Sequence, residues 1–108
     1  MHTLDMRQRL QAVKAKTERH HYIKRHMPQL ESVSGRALWY TCMYQGQLAL
    51  RDGDSVQRKQ VLAFLREVLR QNPVLLNDAA ARDRLWFALA RASFNMTCRL
   101  RNLLRIGL

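Results

Sequence analysis

Apolar positions along this chain recur at helical spacing, and the clearest case is the stretch 85–108. Leu85, Leu89, Ala92, Met96 and Leu103 fall on one stripe, which Trp86, Leu100 and Leu104 widen. Upstream, a thin stripe of Leu4, Leu10, Val13, Thr17 and Ile23 predicts a first helix from about Thr3, as N-cap, to His26. Met27-Pro28 ends it, because proline disfavours a helical residue before it. Residues 29–51 are apolar nearly all round in their middle, through Leu38, Trp39, Tyr40, Cys42, Met43 and Tyr44, so this second helix is predicted to be the most buried. Gly35 and Gly46 within it allow a neighbour to approach closely. Asp52-Gly53-Asp54 is a turn in which Gly53 is expected left-handed and Asp54 caps a third helix over 55–71, with Gln57 as capping-box partner. Asn72-Pro73 then opens a short helical turn over 74–77, and Asp78 or Asp83 opens the final helix.

These elements predict an all-α bundle of four main helices with a short extra turn, folded as a single domain over 1–108. Composition agrees: 47% of residues are hydrophobic, with only 4 glycines and 2 prolines. Charge changes the picture more. There are 19 Lys+Arg against 8 Asp+Glu, a net +11, and no acidic residue follows Arg84. Such an excess concentrates polyanions near the surface, whether acidic lipid headgroups or nucleic acid. No run approaches the roughly 20 apolar residues of a membrane span, and the N-terminus lacks the apolar core of a signal peptide. Cys42 and Cys98 lie in apolar helical contexts and are expected to be reduced, packed thiols in a reducing, cytoplasmic compartment.

Catalytic patterns are absent. There is no glycine-rich phosphate loop, paired-cysteine motif or zinc-protease motif, and the carboxylates sit where helix starts and turns explain them. Ser93 and Cys98 have no base near them in sequence. The run from His20 to His26 lacks metal-ligand spacing and reads as a solvated basic face, so no metal or cofactor is expected. Trp39, Tyr40 and Tyr44 at helical spacing are core residues before they are a stacking platform for bases.

The passage His20-His21-Tyr22-Ile23-Lys24-Arg25-His26-Met27-Pro28-Gln29-Leu30 resembles a "tyrosine, basic, His-x-Pro-x-Leu" segment in the C-terminal extensions of bacterial family-2 glycosyltransferases. The aromatic-rich helix, the Gly-Asp turn, the helix ending Leu69-Arg70-Gln71-Asn72-Pro73 and a basic last helix continue the likeness. The family's Asp-x-Asp motif has no counterpart here, since Asp52-Gly53-Asp54 follows a helix and not a strand. The resemblance implies a non-catalytic C-terminal piece of a larger enzyme of cell-surface polysaccharide synthesis, a transferase whose catalytic domain would be this chain's partner. It would serve docking, self-association into a homo-oligomer, or peripheral attachment to the inner face of the membrane. For contact with an anionic membrane, the expected residues are Arg91, Arg99, Arg101 and Arg105, with Trp86 and Leu104 as interfacial anchors. A small basic nucleic-acid-binding protein and a helical protein adaptor are the alternatives.

Overall fold

The computed structural model describes residues 6–74 and 80–106. In order they form α1 (Met6–His26), a 3-10 turn (Pro28–Leu30), α2 (Glu31–Asp52), α3 (Ser55–Gln71), α4 (Ala81–Ala92) and α5 (Phe94–Leu103). No strand occurs among the described residues, and the fold is the expected all-α bundle. The expected cap Thr3, the short turn over 74–77 apart from Val74, and Asp78 lie outside the described residues.

α2 is the centre of the bundle. It packs on α1, α3 and α5, and it buries Leu38, Trp39, Cys42, Met43, Leu48 and Ala49. The bracketing turn is local chemistry. Asp54 accepts from the Gln57 amide at 2.8 Å while the Gln57 side chain accepts from the Asp54 amide at 3.2 Å, the reciprocal box the sequence predicts. Gly53 differs from expectation, because it is extended (φ −82°, ψ 152°) and not left-handed. Its amide bonds the Ala49 carbonyl, and a Cβ there would stand 2.7 Å from that oxygen, so close approach is what glycine provides.

At the end of α3, Asn72 is the C-cap and its side chain bonds backward. Its Nδ2 donates to the Val68 carbonyl at 2.8 Å, and its own carbonyl accepts from the Trp39 indole at 2.7 Å. The sequence pattern marks this boundary, and the short helical turn it has Asn72 open lies, apart from Val74, outside the described residues.

The largest departure lies in the C-terminal stretch, which is two helices and not one. Ser93 is extended (φ −159°, ψ 103°); its amide closes α4 on the Leu89 carbonyl, and its hydroxyl accepts from the Met96 amide at 3.4 Å. α5 then folds back, bringing the Arg101 guanidinium carbon to 4.8 Å from the centre of the Trp86 ring. The core-facing stripe is therefore not the leucine stripe. Trp86, Phe87, Ala90, Phe94 and Cys98 are buried, whereas Leu85, Met96, Leu100, Leu103 and Leu104 are exposed. Ring volume decides this: Phe87 packs edge-on to Trp39 at 5.5 Å and beside Tyr40 at 5.1 Å, filling the space between α2 and α4.

Gly46 makes the α2–α5 contact possible. A Cβ at this position would meet Cys98 Sγ at 2.6 Å and the Phe94 ring at 3.0 Å. Both neighbours are buried, so neither can move aside freely. Gly46→Ala should destabilise the fold by about 1–3 kcal/mol despite alanine's better helix propensity. Urea denaturation checks this, and a variant as stable as the native chain would show that α5 does not lie this close to α2.

Candidate functional site

The residues expected to meet an anionic surface separate into two groups. Arg91, Arg99, Arg105 and Leu104 are exposed, whereas Arg101 and Trp86 are buried, with exposures of 6% and 8%. The last two cannot serve as surface contact and interfacial anchor in this fold. The reason is Gln47, which is wholly buried on α2 and aims its carboxamide at the end of α5. Arg101 Nε donates to Gln47 Oε1 at 2.9 Å, while Gln47 Nε2 donates to the Ile106 carbonyl at 2.6 Å and Asn102 Oδ1 at 3.2 Å. Asn102 Nδ2 returns a bond to the Gln47 carbonyl at 3.1 Å.

The guanidinium so held lies over two rings, 4.8 Å from the centre of Trp86 and 5.5 Å from that of Tyr40. Burial lowers the pKa of Arg101, partly offset by Tyr40 and Cys98. Tyr40 donates its hydroxyl to Asp83; burial and that bond push the phenol up to about 12. A cavity of about 400 Å³ opens here, lined by Tyr40, Arg82, Asp83, Trp86, Arg101 and Ile106.

The exposed group surrounds a different surface. On α5 the core side carries Phe94, Thr97, Cys98 and Arg101, and the opposite side carries Met96, Arg99, Leu100 and Leu103. That outward face is therefore apolar, with Leu103 at 79% and Met96 at 64% exposure. Leu104 continues it at the helix end, where Arg105 takes a left-handed conformation (φ 56°). The Ile106 amide bonds the Arg101 carbonyl and the Arg105 amide bonds that of Asn102, a Schellman end with arginine in the position glycine usually fills. At the other end, Arg91 shares a cleft of about 490 Å³ with Arg66 and Arg70, and Asn95 and Trp39 are among its other walls.

Nothing in these surroundings activates a nucleophile. Burial pushes the Cys42 and Cys98 thiols up to about 12, and both are free and buried. Ser93 is committed to capping α5. Among the described residues no group of three or more metal-ligating side chains is found, and no helix is long and apolar enough to cross a membrane. Searches against protein-family models, curated proteins and solved structures each found no match.

Of the stacking candidates, Trp39 is core and Tyr40 is half-buried; Tyr44 is exposed. The histidine run is not wholly a solvated face either. His21, Tyr22, Lys24, Arg25 and His26 are exposed, but His20 is buried, with Nδ1 2.9 Å from Ser34 Oγ and its ring under Gly35. Gly35 marks where the imidazole packs, though a Cβ there would meet the ring at an ordinary 3.4 Å, so the signal for His20 is its bond to Ser34 across the two helices.

Burial holds the His20 imidazole below its ordinary 6.5, with His21 and Lys24 adding to the fall and Glu31 opposing it. Because the folded-state pKa is depressed, the unfolded chain binds the proton first as pH drops. The contribution to stability is complete above 6.5 and is lost as pH falls below it through the folded-state value. The melting temperature should therefore drop more steeply between about pH 7 and pH 5 in the native chain than in His20→Gln, which does not titrate there. Equal slopes in the two proteins would contradict the placement of His20.

Proposed function

We propose that this chain is a non-catalytic helical domain that docks peripherally on an anionic membrane surface through the outward face of α5. One observation carries the reading: the solvent side of α5 is apolar, through Met96, Leu100 and Leu103, and arginines border it. A helix normally turns such a stripe to the core. Here the core is filled by the other side of the helix, so the leucines and methionine remain for an external apolar phase. Arg99 lies on the same face, Arg105 follows Leu104 at one end, and Arg91 precedes the helix at the other.

The energetics fit reversible attachment. Near a surface rich in acidic lipid each basic residue contributes about 1 kcal/mol, so Arg91, Arg99 and Arg105 supply on the order of 3 kcal/mol. The apolar side chains add to this by entering the headgroup boundary. A net charge of +11 orients approach to anionic surfaces, repels cationic ones and gains nothing at neutral ones. On the glycosyltransferase resemblance, the same face would hold a catalytic domain near lipid-linked acceptors; the membrane reading stands without that parent.

Co-sedimentation with vesicles of phosphatidylcholine and phosphatidylglycerol tests the proposal. The native chain should pellet with the acidic vesicles, be released by salt, and ignore pure phosphatidylcholine. Replacing Arg91, Arg99 and Arg105 together by glutamine should weaken binding about 100-fold, the equivalent of roughly 3 kcal/mol. Leu103→Asn should weaken it at high salt as well as low, because its share is not screened. Native chain that stays in the supernatant, or binds duplex DNA more tightly than the acidic vesicles at equal salt, would overturn the reading.

A further inference from the structure

Among the described residues Arg101 is a buried cation without an anion. Among the described residues no carboxylate lies within ion-pair distance of it, and its one hydrogen bond goes from Nε to Gln47. Asp83, in the same cavity wall, is engaged by the Tyr40 hydroxyl. The two rings and the Gln47 oxygen offset part of the cost of taking a guanidinium out of water, but they supply no opposite charge. Among the described residues no buried side-chain nitrogen lacks a partner, so the two Nη groups, which have none, reach the open space beside them. That space is the cavity of about 400 Å³ between α4, the end of α5 and Tyr40.

We infer that this cavity is a binding site for a small carboxylate, held end-on by the two Nη groups of Arg101 with its carbon body against Trp86 and Ile106. The planar fork of a guanidinium matches a carboxylate with two parallel hydrogen bonds. One negative charge neutralises one buried cation. A dianionic phosphate brings a second charge; Asp83 and Arg82 in the same wall offset one another, and the apolar wall of Trp86 and Ile106 adds the cost of taking that second charge out of water. The indole face and Ile106 give an apolar wall to a short chain or ring, the usual division of labour in a small-molecule pocket. None of these side chains belongs to the outward face of α5, so the two sites can be lost independently.

The test is an NMR titration of the full chain with sodium acetate, sodium benzoate and inorganic phosphate, at ionic strength fixed with chloride. Acetate and benzoate should shift the Arg101 guanidinium and the Trp86 indole N–H saturably, leaving the Trp39 indole, which is tied to Asn72, unmoved. Benzoate should bind more tightly than acetate, and phosphate about tenfold more weakly than acetate. In Arg101→Lys, with folding confirmed by circular dichroism, carboxylate binding should fall at least about tenfold. Absence of a saturable shift at Arg101 and Trp86 in the native chain would overturn the site, as would shifts equal to those produced by chloride alone.

Discussion

The carboxamide of Gln47 is the interaction on which the C-terminal half depends. It is a primary amide with no exposure, so each of its polar atoms must find a partner inside the protein or cost the desolvation of a buried polar group. Arg101 serves its oxygen, and the Ile106 carbonyl and Asn102 serve its nitrogen. Three residues of one helix end are thereby fixed to the middle of another. The rotation of α5 follows: with Arg101 turned inward, Met96, Leu100 and Leu103 have only the outside left. So does its ending, in which Arg105 accepts a left-handed backbone because the bonds of Ile106 and Arg105 to the last turn close it.

That constraint also explains which parts of the fold were legible in the chain. The α3 boundaries, the Asp54–Gln57 box and the stop at Met27-Pro28 are local, set by residues three or four apart, and they stand where the pattern puts them. The burial of α2 was legible because its middle is apolar on every side. The last two helices were not. Residues 85–108 carry two overlapping stripes, one of leucines and one of Trp86, Phe87, Phe94 and Cys98, and helical periodicity alone cannot choose between them. What chooses is Gly46 and Gln47, about fifty residues away, which give Phe94 and Cys98 a bed and Arg101 a partner. Arginine is so often exposed that sequence reasoning assigns Arg101 to the surface; only the long-range partner reveals otherwise.

The two polar surfaces differ in kind. Around α5 the arrangement is an apolar strip with exposed charges at its edges, suited to a fluid, extended, anionic partner. Around Arg101 it is a fixed guanidinium between two rings beside a small cavity, suited to a small and shaped one. Neither contains a group poised to break a bond, since the thiols are pushed up to about 12 by burial and Ser93 is spent on helix capping.

The central claim is that the outward face of α5 enters an acidic bilayer while the rest of the bundle stays in water. Spin labels placed singly at Leu103→Cys on α5 and at Ala15→Cys on α1 measure this directly by their collision with dissolved oxygen and with an aqueous nickel chelate. Cys42 and Cys98, buried and with raised thiol pKa values, leave the introduced cysteine as the reactive one. On adding phosphatidylglycerol vesicles, the label at position 103 should gain oxygen contact and lose contact with the chelate, and the label at position 15 should change in neither. A label at 103 that stays as accessible to the chelate as the one at 15 would contradict the account.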